Sequence, residues 1–158
     1  VSGDVTIQRV FPDDWQLFAR VRLAALREAP QAFASRYETW AEAPEDQWRM
    51  RLTTVAANWV AVRDEQGVGL IGGSLPEPDQ ADLISMWVCP AVRGQGVSDL
   101  LVQTMLEWAR SQPGLKRVEL EVFEHNRAAQ NLYQRHGFAF TTAETGDPEN
   151  ELRMALTL

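Results

Sequence analysis

Between residues 81 and 110 the chain passes from an apolar strand pattern through a glycine-bearing turn into an amphipathic helix, and this passage restricts the folds open to it more than any other stretch. ADLISMWVCP reads as a strand ended by Pro90, and Arg93-Gly94-Gln95-Gly96 is the turn. From Val97 the apolar residues Leu100, Leu101, Met105 and Trp108 form the stripe of a helix lying on a sheet, broken by Pro113-Gly114. KRVELEVFEH (116–125) is a second strand, with Val118, Leu120 and Val122 on one face. Strand, helix, strand in this order is a crossover that lays the two strands parallel, and it points to a mixed α/β sheet.

The flanking segments add to that sheet. Residues 4–9 alternate as a short strand, and 13–28 repeat apolar residues at helical spacing after Pro12. Residues 30–54 read as broken helix, punctuated by Pro30 and Pro44 and rich in acids at Glu38, Glu42, Glu45 and Asp46. Two strands at 58–65 and 68–77 are expected to form a hairpin turning at Gln66-Gly67. A short helix at 126–136 closes on Gly137. Two final strands, 138–144 and 149–158, are joined through Gly146-Asp147-Pro148.

With 158 residues, no repeat and no Pro/Gly/Ser-rich linker, the expectation is one domain, 1–158. A single cysteine, Cys89, excludes an internal disulfide framework, and with two histidines it makes no metal site. Twenty-two acidic residues against 15 basic give a formal charge of −7, which argues against nucleic acid as a partner. No apolar run approaches the ~20 residues of a membrane span, and VSGDVTIQRV holds no secretory core. The expected location is cytoplasmic, without a membrane partner.

Glycines placed where a strand hands over to a helix let an anion approach the helix's first N–H groups, which have no internal acceptor and carry partial positive charge. Arg93 adds a full charge, so the turn has the physics of a pyrophosphate site. Neither a Gly-Lys-Ser/Thr loop nor a full dinucleotide fingerprint is present.

About thirty residues on comes Asn126-Arg127-Ala128-Ala129-Gln130-Asn131-Leu132-Tyr133, ending Arg135-His136-Gly137-Phe138. An apolar strand with an Arg/Gly turn into a helix, followed by N-x-x-A-x-x-L-Y-x-x-x-G-F, resembles the GNAT acetyltransferase superfamily. The resemblance covers about Leu83 to Phe140. It departs from the family pattern at Ser98, where glycine or alanine is usual; serine is small, and its hydroxyl can donate to a phosphate.

The resemblance implies a GNAT-like fold: a mostly antiparallel sheet of six to seven strands with one splayed parallel pair and helices on both faces. It implies acetyl-coenzyme A as acetyl donor, bound between strands 83–89 and 117–123, with no metal. The pantetheine arm would pair with exposed backbone near Met86, Trp87 and Val88. The pyrophosphate would rest on Arg93, Gly94, Gln95, Gly96, Val97 and Ser98, with Asn126 and Arg127 also near the cofactor. The reaction implied is direct attack of an amine on the thioester in a ternary complex.

An alkyl amine with pKa near ~10.4 must lose a proton before it attacks, at a cost of about 4.6 kcal/mol at pH 7. A carboxylate that accepts this proton reduces the cost, and the departing thiolate benefits from a proton donor. Tyr133 fits the family's helix tyrosine and is the expected acid. Glu121, twelve residues before it, matches the glutamate–tyrosine spacing of the ribosomal-protein alanine acetyltransferases and is the expected base. Asp82 and Glu38 are the other carboxylates considered, and the resemblance places Trp40 in the acceptor-lining segment beside Glu38. His136 reads as a helix-end cap, and His125 as a loop residue.

The acidic 38–46 segment favours a small cationic amine as acceptor. The Glu121 spacing favours a peptide N-terminus instead, and an acyl-CoA-binding sensor without turnover is a third reading. A homodimer is frequent among such proteins. The remaining charges suggest a divided field: cations at Arg93, Lys116, Arg117, Arg127 and Arg135, acids at 38–46 and at Glu144, Asp147, Glu149 and Glu151.

Overall fold

The computed structural model describes residues 4–33, 35–143 and 145–158. After strand β1 (Thr6–Arg9), a 3₁₀ turn at Pro12–Asp14 leads into α1 (Trp15–Glu28). Two further helices, α2 (Tyr37–Ala41) and α3 (Glu45–Thr54), precede three consecutive strands, β2 (Ala57–Arg63), β3 (Gln66–Glu77) and β4 (Gln80–Val88). Helix α4 (Val97–Ser111), strand β5 (Arg117–Phe123), helix α5 (Arg127–Arg135), β6 (Ala139–Phe140) and β7 (Glu151–Thr157) complete the order.

The strands form one seven-stranded sheet in the order β1-β2-β3-β4-β5-β7-β6. Every neighbouring pair is antiparallel except β4–β5, which the α4 crossover makes parallel. Each face carries its own apolar layer. Leu101, Val102 and Met105 of α4 pack with Leu132 of α5 and with Val118, Leu120 and Met154 on one side. On the other, Phe18, Val21 and Ala25 of α1 and Trp48 and Leu52 of α3 cover Val60, Leu70 and Trp87. Each such side chain fully buried contributes about 1.5–3 kcal/mol, so both helix layers are held by packing rather than by helix propensity.

Two boundaries differ from the sequence expectation. The β2–β3 hairpin turns at Asp64-Glu65, both at positive φ (51° and 65°), with Arg63 opposite Gln66. That is the geometry of a two-residue primed turn. Gln66 and Gly67 belong to β3 instead. Gly67 is there for space, since a Cβ on it would lie 2.0 Å from Val21 Cγ2 of α1. The strand expected over 138–144 is reduced to Ala139–Phe140, whose side chains are exposed and bury nothing that would extend it; Glu144 lies outside the described residues.

Gly69 marks the closest approach within the sheet. A Cβ there would sit 2.9 Å from the Trp87 carbonyl oxygen and 3.1 Å from Leu101 Cδ1. Gly69→Ala is therefore expected to lower unfolding stability by about 1–3 kcal/mol in urea titration. An unchanged midpoint would mean that β3 and α4 can part there without cost.

Candidate active site

The cavity begins where the parallel pair stops. β4 and β5 are in register only at Gln80–Arg117, Ala81–Val118 and Asp82–Glu119. Beyond Asp82, β4 bulges: Leu70 faces Trp87 and Gly72 faces Ile84, so Ser85 and Met86 together oppose Ile71. Ser85 takes φ 60°, a left-handed conformation uncommon outside glycine. A bulge bends its strand, and here the bend turns β4 away from β5. The space between them is a cavity of about 590 Å³, walled by Leu83, Ile84, Ser85 and Met86 of β4 and by Leu120, Glu121, Val122 and Phe123 of β5. Asn126, Ala129 and Tyr133 of α5 also line it.

The turn at the end of β4 is shaped as the glycines suggested. Gly94 and Gly96 have φ 79° and 83°, and a Cβ on either would meet nothing within 4 Å. Gly96 caps α4 with no side-chain hydrogen bond, so the first amides of the helix have no intrahelical acceptor. Open space over two glycines, beside unanswered N–H groups, fits the pyrophosphate of coenzyme A. Val97 is buried and can offer only its backbone N–H; Ser98, half-buried, sits in the first turn. Gln95 accepts from Arg63 Nη1 at 3.0 Å and donates to the Ala91 carbonyl, which fixes the outer side of the turn.

Arg93 is tied down by a residue that the sequence reading missed. Glu28, at the end of α1, accepts from Arg93 Nη2 and, at 2.9 Å, from Trp87 Nε1. Arg93 Nε also donates to the Val88 carbonyl at 3.0 Å. The Trp87 hydrogen bond, helped by Arg93, holds the Glu28 carboxyl below its ordinary range. The indole and the guanidinium are thus fixed at the end of β4. Met86 lines the cavity, while the Trp87 and Val88 side chains are buried, 6% and 8% exposed.

Tyr133 is buried at 6% exposure, edge-on to Phe138 with ring centroids 5.8 Å apart. Its hydroxyl makes no hydrogen bond to another described residue, and the side chain lines the cavity. Burial pushes the phenol well above its ordinary value, which keeps it protonated. Asn126 caps α5, its side chain accepting from Ala129 N at 3.1 Å. Gln130, also missed, donates to the carbonyls of Phe123 (3.0 Å) and Glu124 (2.8 Å) from a buried position. It latches α5 to the end of β5 and so sets where Tyr133 stands. A glutamine on the apolar face of a strongly amphipathic helix was the available signal.

Glu121 projects from β5 into the cavity wall, accepting from Gly146 N at 3.3 Å and Arg153 Nη2 at 3.4 Å. Asp82, Asp147 and Glu151 line the same cavity, with Arg153 as the basic member of that group. Burial, and then the charges of Glu121 and Asp147, raise the Glu151 carboxyl above its ordinary range. Asp82 accepts from Gln80 Nε2 at 2.8 Å. Glu38 and Trp40 lie on α2 and are not part of this lining: Glu38 is exposed, and Trp40 packs on Trp48 at 4.7 Å.

The expected grouping of cations is divided by the sheet. Lys116 and Arg117 stand at the closed end of the β4–β5 pair, where Arg117 binds Asp79 and Glu119. Arg93 is at the other end of β4. Arg127 is exposed at the start of α5, and Arg135 pairs with Asp99 at 3.1 Å. His136 ends α5 with Nε2 2.8 Å from Asp99 Oδ1, joining it to the first turn of α4, while His125 stacks on Phe123.

The His136 contact and Arg135 hold the Asp99 carboxyl below its ordinary 3.8. A depressed carboxylate stabilises fully above its unfolded pKa, and this contribution fades as pH falls through the folded value. The Tm difference between the native protein and Asp99→Asn is therefore expected to narrow between about pH 5 and pH 2. A difference constant through that window would separate Asp99 from the stability of the α4–α5 junction.

Among the described residues no helix is long and apolar enough to cross a membrane, and no cluster of His, Cys, Asp and Glu is arranged for a metal ion. Residues 23–138 match the family described as Acetyltransferase (GNAT) family. An uncharacterized N-acetyltransferase of Bacillus subtilis (strain 168), YdgE, is 42% identical over 62 residues, 39% of this chain and 39% of that protein. The chain thus spans well under half of that relative's length, and other curated relatives are likewise matched over part of their length. A GNAT-family acetyltransferase from Streptococcus pneumoniae superposes with TM-score 0.79 at 18% identity, over 98% of this chain and 100% of that one. PaiA N-acetyltransferase from Thermoplasma acidophilum, solved with coenzyme A, gives TM-score 0.74 at 14% identity over 98% and 99%. At these identities the likeness is one of fold. The family match runs through the splayed strands, the Arg93–Gly96 turn and the Tyr133 helix alike, and by it the chain belongs to the GNAT acetyltransferase family.

Proposed function

We propose that this chain transfers an acetyl group from acetyl-coenzyme A to a primary amine, with donor and acceptor in the cavity together. What carries this reading is that the β4–β5 splay gathers a protonated phenol, Tyr133, and a carboxylate, Glu121, on the walls of one cavity whose β4 wall leads to an anion-binding turn. Acetyl-coenzyme A, when bound, supplies the activated acetyl thioester.

The chain's residues bind, orient and move protons. The first amides of α4, with Arg93, Gly94, Gln95, Gly96, Val97 and Ser98, hold the pyrophosphate. The β4 edge at Met86, Trp87 and Val88, which no strand of the described residues pairs on the β5 side, offers backbone groups to the pantetheine arm, with Asn126 and Arg127 beside it. Glu121 takes a proton from the acceptor's ammonium, held in place by Arg153 and Gly146 N. Tyr133 keeps its proton at Oη for the departing thiolate. Carboxylates of Asp82, Glu121, Asp147 and Glu151 attract a cationic amine into the cavity.

The test is release of free thiol from acetyl-coenzyme A with a panel of small cationic amines and short peptides. Amine-dependent release is expected, and Glu121→Gln should lower kcat about 10²-fold. Turnover of peptides in preference to small amines would move the acceptor to a polypeptide N-terminus. Cofactor binding with no release across the panel would overturn the catalytic reading in favour of an acyl-CoA-binding domain.

A further inference from the structure

Behind the β4 bulge lie two guanidinium groups that no carboxylate of the described residues answers. Arg22 of α1 is 4% exposed, and Arg51 of α3 is half-buried. Both reach the hydroxyl of Ser85: Arg22 Nη1 at 3.5 Å and Arg51 Nη2 at 3.4 Å. Their other acceptors are neutral, Ser35 Oγ for Arg22 and Asn58 Oδ1 for Arg51, each at 3.1 Å. Arg22 Nε is buried with no acceptor among the described residues.

Five other arginines are held in the opposite way. Arg49, Arg93, Arg117, Arg135 and Arg153 all pair with Asp or Glu, though several of these pairs are exposed, where an ion pair stabilises least. The two inner arginines, where an unpaired charge costs most, form no ion pair among the described residues. Burial, joined for Arg22 by the charge of Arg51, brings each down to about 10, so both stay protonated at neutral pH.

They stand one layer behind the cavity, and neither guanidinium is itself on its lining. Ser85 and Phe33, which Arg22 touches, are both on its lining. Ser85 holds its left-handed backbone with both guanidinium groups converging on its side chain, and such strain is characteristic of sites that bind something. Rings of Phe33 and Trp40 lie 6.0 and 5.4 Å from the Arg22 guanidinium carbon. Aromatic cover leaves the edge of a guanidinium as its donor surface, and a planar carboxylate meets that edge with two parallel hydrogen bonds.

We propose that Arg22 and Arg51 anchor a carboxylate of the acetyl acceptor, which is then an amino acid or a related amino-carboxylate with its ammonium end toward Glu121 and its acidic neighbours. This rests on the transfer reading above and narrows its acceptor class from cationic amines to zwitterionic ones. Ser85 is the positioning residue between the anchor and the cavity.

Two measurements test it. In the first, thiol release is followed with glycine, β-alanine, 4-aminobutanoate and the proteinogenic amino acids, each beside its carboxamide, using the wild-type protein. For the accepted compounds the carboxylate form is expected to have at least about ten-fold higher kcat/KM, because the carboxamide leaves a cation unanswered. Arg51→Lys should shrink this ratio, since a lysine cannot reproduce the two-point contact. Carboxamides turned over as well as carboxylates, or phosphoethanolamine preferred to both, would overturn the proposal.

The second needs no turnover. Arginine Nε–Hε NMR signals are recorded while the same carboxylates, their carboxamides or sodium chloride are added at equal ionic strength, with Arg22 and Arg51 assigned through their lysine variants. Shifts at these two signals with carboxylates alone are expected. If they occur without thiol release, the anchor stands and the transfer reading fails. If amines are acetylated with neither shifts nor carboxylate preference, the anchor fails and the transfer reading stands.

Discussion

Tyr133→Phe is expected to lower kcat by about 10²–10³-fold with little change in the KM for acetyl-coenzyme A, the size of a lost general acid. The substitution is unusually clean at this position. The phenol hydroxyl has no hydrogen-bond partner among the described residues, so removing it strands no buried donor or acceptor there. The ring keeps its edge contact with Phe138, and the α5 latch through Gln130 is untouched. Thermal stability should therefore stay within about 0.5 kcal/mol of the native protein, as expected where no buried partner is lost. A structural tyrosine would show the reverse, altered stability with normal turnover. If kcat on a verified acceptor stays within two-fold, the proton at Tyr133 Oη is not the one delivered to the leaving group.

Gly96→Glu is expected to raise the KM for acetyl-coenzyme A by about 30–100-fold, with a much smaller effect on kcat at saturation, because it removes binding common to ground and transition states. Three penalties add. The left-handed backbone at φ 83° costs a side-chain-bearing residue about 1–2 kcal/mol. The new side chain fills the open space over the turn, and its charge opposes a pyrophosphate at the α4 N-terminus. Gly114→Glu separates these causes. Gly114 has φ 77° and equal open space but lies between α4 and β5, away from the turn, so its variant carries the strain alone. Equal KM changes in the two variants would reduce the Gly96 effect to general destabilisation.

Local features were legible in the sequence where one residue has one physical reason to be there. The positive-φ glycines of the 93–96 turn, the α4 stripe and the alternation of β5 all reappear in place. Gly67 was misread because a glycine serves turns and close packing alike, and only the position of Val21 distinguishes them. Of the expected site residues, Asp82, Met86, Glu121, Asn126 and Tyr133 meet at one cavity; the resemblance carried by the 126–138 motif and the Glu121–Tyr133 spacing pointed to most of them. The acceptor side was not legible. Arg20, Arg22 and Arg27 look alike along α1, yet Arg20 and Arg27 are exposed and Arg22 is sealed under Trp40. Helical spacing puts Arg22 on the packed face with Phe18 and Ala25, but that an arginine stays buried there depends on α2 closing over it.

The contact of Glu28 with Arg93 and Trp87 gives α1 a second role. Arg22 and Glu28 belong to one continuous helix, six residues or about 9 Å apart along its axis. On the proposed reading Arg22 stands behind the acceptor end of the cavity, and Glu28 grips the turn that holds the donor. If ligation at Arg22 shifts α1, the hold on Arg93 changes with it, and the two substrates then report on each other. By reciprocity, filling the turn changes the affinity at Arg22 by the same factor. Such coupling is expected as a donor-dependent Kd for the acceptor and an equal acceptor-dependent change in the Kd of the donor.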